Sequence, residues 1–566
     1  MENWTFDTLK YERPDLGKAK EMLREAAEKV KAASSAGEVF DVIGRVDEEE
    51  KKLYSSFTIA FIRHTVDTSD KFYEQESDYF DAALPELDPY RVEYSVALSE
   101  SRFRPEIEKK YGKQIFTQID LQKKSFCEKN IPLMQEENKL SSDYEKLMAS
   151  CKIDFDGKEL NLYGIQKYFE DDDRNVRAAA FKAYSDFYHS NEERLEEIWD
   201  ALIKNRNEQG RNLGFKNYIP LGYMRQGRVD YGQREVASFR EQVREVMVPM
   251  CVKIYEAQAE RLGLDHVMAY DEQRVFADGN AHPAGDDDVM MDAAVRMYHD
   301  MSPETAEFVD FMVEHKTFDL KNRPHKASTG YMTELPSLKS PFVFSCFNGT
   351  IGDMQVLTHE FGHAFAGYMA MRTQPISDYY SESTDIAEIH SMSMEQFAYP
   401  YAEWFFGDEA DKFRFGHLQD ALTFVPFGVA VDEFQHICYE KEDLTPKERT
   451  LEWKKLEEKY MPWRHYDPDD FFDRGGYWYH KLHIFQHPMY YINYTLTTMG
   501  AMEFKKKAAE NKAAAWQDYL TLCKVGGSLG YLDTLCAANL SVPFESGAVK
   551  RSVGYAFDIL MNDKLL

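Results

Sequence analysis

No stretch of this 566-residue chain reaches about 18 consecutive apolar residues, so nothing in it reads as a membrane-spanning helix. The start, Met1-Glu2-Asn3-Trp4-Thr5-Phe6, lacks a basic segment followed by an apolar run, and no signal peptide is expected. Cysteine is sparse: seven residues, odd in number, far apart and never in a C-x-x-C pair, which argues against a disulfide frame or a cysteine zinc site. Reduced thiols and no leader together point to the cytoplasm. Basic residues are also short, 68 Lys plus Arg against 98 Asp plus Glu, a formal charge of −30. That excess repels polyphosphate and anionic lipid, so neither nucleic acid nor a membrane is an expected partner.

Glycine and proline are few as well, 30 and 20 residues, while 43% of the chain is hydrophobic and 14% aromatic. Apolar residues recur at three- and four-residue spacing over about 17–35, 38–79, 112–150, 173–210 and 232–262, which predicts a mainly α protein. Around Asp156-Gly157 the period switches to alternation, a hairpin signal. The aspartate-rich loop 278–288 lacks the D-x-D-x-D-G spacing of a calcium loop. From Asn322 the character changes, which suggests a mostly helical N-terminal lobe over 1–320 and a catalytic lobe over 321–566, though the lobes need not be continuous in sequence.

Thr358-His359-Glu360-Phe361-Gly362-His363-Ala364 contains H-E-x-x-H. On a helix, His359 and His363 fall on nearly one face and can share one zinc ion, with Glu360 between them placed to take a proton from an attacking water. Gly362 costs about 1 kcal/mol relative to alanine inside a helix, which predicts close approach by another backbone or the substrate.

A hydrolytic zinc site takes three protein ligands. Beyond the helix-stopping Thr373-Gln374-Pro375, Asp385, Glu388, Met392 and Glu395 share one helical face. Glu388 is the candidate third ligand, and Asp385 and Glu395 are candidates to hold the imidazoles by hydrogen bonds. His390, on another side of the same helix, competes with Glu388, and spacing does not choose between them.

Upstream, Pro341-Phe342-Val343-Phe344-Ser345-Cys346-Phe347 is a strand leading through Asn348-Gly349-Thr350 into the metal helix. Either it is an ordinary core strand, or it is an edge strand that pairs with an extended substrate, with Phe344, Phe347 and Gly349 as substrate contacts. Downstream, residues 477–494 concentrate aromatic and imidazole groups. Tyr491 and Tyr494, three apart, can present O–H donors to an oxyanion, and Tyr490 beside them is a further candidate substrate contact.

With Thr358–Ala364 and Asp385-Ile386-Ala387-Glu388 in hand, the chain resembles the M3 family of zinc oligopeptidases, which includes thimet oligopeptidase, oligoendopeptidase F and Pz-peptidase. The resemblance places the third ligand 25 residues after the second histidine, at Glu388, and matches Glu388, Ser391 and Glu395 to an E-x-x-S-x-x-x-E pattern. It makes Phe342–Thr350 the edge strand and assigns transition-state roles to His483, Tyr491 and Tyr494. One departure is Thr329-Gly330, where a pair of glycines is expected. The implied protein is a two-lobed helical zincin-type metallopeptidase with a deep cleft and a small β-sheet beside the active-site helix. It would use one zinc per chain to hydrolyse internal bonds of short unfolded peptides, with Glu360 activating the water.

Overall fold

The computed structural model describes residues 4–327, 329–347, 351–468 and 470–564, the side chains of residues 81 and 82 excepted. The chain forms two compact units, each assembled from three stretches: residues 1–123, 282–408 and 507–540 in the first, and 124–281, 409–506 and 541–566 in the second. A sequence boundary near 320 therefore falls inside the first unit.

The first unit opens with long helices whose starts are written in the sequence. Asp15 caps Leu16–Ala32 through the Lys18 N–H at 3.1 Å, and Ser35 caps Ala36–Val66 through the Glu38 N–H at 3.3 Å. The pattern running through 38–79 is broken at Asp67, which caps the end of Ala36–Val66, so a separate helix, Lys71–Ala83, follows with Asp70 as its N-cap. Leu23, Val30, Ile43, Tyr94, Ile107 and Ile115 form one apolar core. Ile376 and Tyr379 close it from far along the chain, the Tyr379 hydroxyl accepting the Ile115 N–H at 2.9 Å.

A three-stranded sheet supports the site. Ser340–Phe347 is its central strand, parallel to Phe318–Lys321 and antiparallel to Tyr331–Leu335. Phe344 pairs with Asp319 on one side and Tyr331 on the other. This corrects the edge position that the resemblance implies: Ser340–Phe344 pairs with Tyr331–Leu335 on one margin, and Val343, Phe344 and Phe347 pair with Phe318–Lys321 on the other, so the outer strand beside it is Tyr331–Leu335. The reason was present in the composition, because a continuous apolar run is buried on both faces and belongs inside a sheet. Phe344 and Phe347 are buried, and Phe344 stacks on Tyr331 with centroids 4.9 Å apart. Gly349 and its turn lie outside the described residues.

The helix Ile351–Thr373 packs on this sheet, and Thr384–Ala398 packs on that helix. Phe361 points away from the metal residues into aromatic packing with Tyr298, Phe308 and Phe318, while the Tyr298 hydroxyl donates to the Leu357 carbonyl at 2.6 Å.

The second unit is a separate helical assembly around Ile131–Ala149, Glu192–Asn212, Ala410–Glu440 and Pro446–Tyr460. Its hairpin, Ile153–Phe155 with Lys158–Leu160, turns at Asp156 and Gly157, both at positive φ (50° and 70°), the conformation a tight two-residue turn demands. Buried charges are paired here: Arg449 with Glu196, Arg177 with Asp271, Arg206 with Glu137.

Candidate metal centre and donor cluster

His359 and His363 stand one turn apart on Ile351–Thr373, their ring centroids 5.0 Å apart. Glu388 faces both from Thr384–Ala398, its Oε2 lying 3.1 Å from His359 Nε2 and 3.4 Å from His363 Nε2. The three potential ligand atoms all fall within 4.8 Å of one another. Two imidazole nitrogens and one carboxylate oxygen converging on one point suit a divalent ion such as zinc.

Neighbouring groups brace this arrangement. Glu395 Oε1 lies 2.6 Å from His359 Nδ1, so His359 donates there from Nδ1 and turns its Nε2 towards Glu388. Ser391 donates to Glu388 Oε2 at 2.9 Å. Burial disfavours a charged His359, yet its hydrogen bonds to the Glu388 and Glu395 carboxylates outweigh that and hold the imidazole pKa well above its ordinary value. For Glu388, burial works upward and the two histidines more strongly downward, leaving its carboxyl below the usual range. Without a cation these groups compensate one another with protons, which is the charge balance of a site built for positive charge.

Asp385 is buried at the start of the same helix and accepts from Ser383 at 2.5 Å. His390, the competing ligand, is fully buried elsewhere: its Nδ1 lies 3.0 Å from Glu382 and its carbonyl accepts from the Tyr519 hydroxyl at 2.9 Å. Gly362 meets the expected backbone, that of Ser391. Glu360 lines a hollow of about 280 Å³ together with His363, Met332, Glu334 and Ser381.

In the second unit His483, Tyr490, Tyr491 and Tyr494 come together. The His483 ring lies 4.8 Å from Tyr491 and 5.8 Å from Tyr494, centroid to centroid, and stacks at 5.9 Å on Tyr490. Burial, with Lys481 and His487 nearby, pushes the His483 pKa down to about 3, so its imidazole is neutral at ordinary pH. Tyr491 is buried and its phenol is correspondingly hard to ionise.

The chain reaches this cluster through Met489, a non-glycine residue at φ 65°. Its N–H donates to Gln435 Oε1 at 2.9 Å, and Arg228 donates to the Met489 carbonyl and to Asn493 Oδ1, each at 2.7 Å. Arg206 donates to the carbonyls of Ile484 and Phe485 at 3.2 and 2.5 Å. Sequence reasoning missed these three positioning residues. The run Asn205-Arg206-Asn207, polar yet buried inside Glu192–Asn212, was the available signal.

A mainly helical protein with a half-buried pair of histidines one turn apart, a buried glutamate from a second helix and a carboxylate beside the first defines the class of HExxH metallopeptidases. Residues 6–126 match the Peptidase M3 N-terminal domain and residues 293–552 match Peptidase family M3. A solved structure of Pz peptidase A with an inhibitor is 42% identical, covers 99% of this chain and 100% of its own, and superposes with a TM-score of 0.91. An X-ray structure of a protein assigned as oligoendopeptidase F gives the same identity and TM-score with 99% of both chains covered. An oligoendopeptidase F homologue of Borreliella burgdorferi is 22% identical over 72% of this chain and 71% of its own. The chain belongs to peptidase family M3. It is accordingly a metalloendopeptidase, a hydrolase with a metal cofactor that acts on peptides. Among the described residues, no helix is long and apolar enough to cross a membrane.

Proposed function

We propose that this protein is a zinc-dependent, cytoplasmic oligoendopeptidase that cuts internal bonds of short unfolded peptides, with one zinc per chain. The observation that carries the proposal is the convergence of His359 Nε2, His363 Nε2 and Glu388 Oε2 within 4.8 Å, braced by Glu395 and Ser391. Zinc held there would supply a Lewis acid that polarises the scissile carbonyl and acidifies an attacking water.

The protein's own groups do the rest. Glu360 takes the proton of the attacking water on its carboxylate and returns it to the leaving nitrogen. Glu395 fixes the His359 ring and Ser391 fixes the Glu388 carboxylate. In the second unit, neutral His483 and the hydroxyls of Tyr491 and Tyr494 offer uncharged donors suited to the oxygen of an attacked carbonyl, and Tyr490 flanks them.

An internally quenched peptide blocked at both ends tests this. The zinc-loaded enzyme cuts it, a chelator stops the reaction, and Glu360→Gln retains zinc while losing nearly all activity. A fully active Glu360→Gln variant would sink the assignment of the base.

A further inference from the structure

A second, larger cavity of about 690 Å³ opens in the first unit, between the four helices Leu16–Ala32, Ala36–Val66, Asp88–Ser99 and Gln114–Ser125 and the segment 376–381. One wall is apolar, with Ile43, Tyr94, Leu98 and Ile115. The rest carries charge.

That charge is unevenly satisfied. Lys51 lies 2.7 Å from Asp47 and 3.0 Å from Glu48, and Asp47 also accepts the Ser377 N–H and hydroxyl at 2.6 Å each. Arg91 clasps Glu50 through two nitrogens, at 2.8 and 3.1 Å. Both cations that line the cavity are thus already bound to fixed carboxylates. Asp378 and Glu334 are left without a cation among the described residues: the Asp378 side chain is open to the cavity and makes no hydrogen bond or ion pair there, and Glu334 accepts from the Ser381 hydroxyl at 3.4 Å. Surrounding protein, with Asp47 and Glu50 close by and only Arg91 opposing, pushes the Asp378 pKa up to about 6. An incoming cation would relieve that repulsion.

The cavity shares two lining residues with the hollow beside Glu360. Glu334 and Ser381 line both it and the smaller hollow that holds Glu360 and His363. A ligand that combines a positive end, an apolar stem and a peptide backbone leading to Glu360 is a peptide with a lysine or arginine.

We propose that this cavity is a specificity subsite that receives a basic side chain of the peptide substrate, with Asp378 as its anionic partner and the Ile43, Tyr94 and Leu98 wall receiving the methylene stem. The proposal rests on the peptidase reading of the adjoining hollow. It names a binding residue that touches substrate away from the bond being cut.

The test uses full-length zinc-loaded enzyme and internally quenched peptides blocked at both ends, identical except that each position flanking the cut in turn carries lysine or norleucine. At one position the kcat/KM ratio of lysine to norleucine is expected to be about tenfold, expressed mainly in KM. In Asp378→Asn that ratio falls to within twofold of one, and in Ser95→Lys, which plants a cation in the same cavity, it falls likewise. Melting temperatures check that both variants are folded. A wild-type ratio retained in Asp378→Asn at every position overturns the proposal. So does a preference seen only when the peptide's amino terminus is left free, because the recognised cation is then the terminus. If the wild type cuts no peptide, the peptidase reading fails separately, and fluorescence anisotropy of the same peptides decides the subsite: equal Kd for lysine and norleucine forms overturns it.

Discussion

Gly362 touches the backbone of Ser391: a Cβ on Gly362 would stand 2.8 Å from Ser391 Cα, 3.0 Å from Met394 Cβ and 3.2 Å from the His390 carbonyl oxygen. The helix bearing the two histidines and the helix bearing Glu388 are in contact at the turn between the ligands. Gly362→Ala must push them apart, and overpacking of this kind costs about 1–3 kcal/mol. Because Glu388 moves with Ser391, zinc affinity should fall along with stability. Competition with a chelating dye and a thermal melt measure both, and unchanged values in the two experiments would falsify the idea that this contact sets the ligand geometry.

Glu395 binds no metal in the proposed site, yet its 2.6 Å contact with His359 Nδ1 fixes which nitrogen faces Glu388. Glu395→Gln is expected to weaken zinc binding by about 10- to 100-fold, with little change in unfolding midpoint of the metal-free protein. Equal zinc dissociation constants for the two proteins would count against this role.

Much of this was written in local pattern. The spacing of His359 and His363, the positive-φ turn at Asp156-Gly157 and the glycine at 362 each follow from the geometry of one or two elements, which a sequence carries directly. Strand order does not work that way. Ser340–Phe347 could be read as a core or an edge strand, and its partners, Phe318–Lys321 and Tyr331–Leu335, are too short and carry too little periodicity of their own to decide it. His390 could not be separated from Glu388 by spacing either; it is Glu388 that lies beside the two histidines, while the His390 ring faces Glu382. Arg206, Arg228 and Gln435 escaped notice because their task is to hold main-chain carbonyls and amides far away in sequence. Those partners have no residue type to be recognised by.

His483 carries a pKa pushed down to about 3, against about 6.5 for an unperturbed imidazole. Between those values the unfolded chain binds a proton that the folded one does not, so this residue lowers stability as pH falls from about 6.5 towards 3 and has no such effect above that window. An imidazole carbon resonance of His483 should therefore stay at its neutral position from pH 8 down to about 4.5. An acid limb in the activity profile within that range must come from another group. A His483 titration midpoint near 6.5 would show that the burial argument is wrong.

Arg206 is fully buried, paired with Glu137 at 2.6 Å, and donates to Tyr439 at 3.0 Å as well as to the carbonyls of Ile484 and Phe485. Arg206→Met leaves Glu137 with Arg225, at 3.3 Å, as its cation beside the Gln209 amide at 2.8 Å, and removes the guanidinium from two carbonyls, so a loss of about 3–5 kcal/mol is expected in urea unfolding. Arg206→Lys separates positioning from charge. A single ammonium keeps Glu137 neutralised but lacks the planar fork that reaches carboxylate, phenol and both carbonyls at once. Its stability should be largely restored relative to Arg206→Met, while kcat on a quenched peptide stays reduced because the turn carrying His483 is no longer pinned. Full activity in Arg206→Lys would mean that the charge alone matters and that the segment holds His483 in place without this clamp.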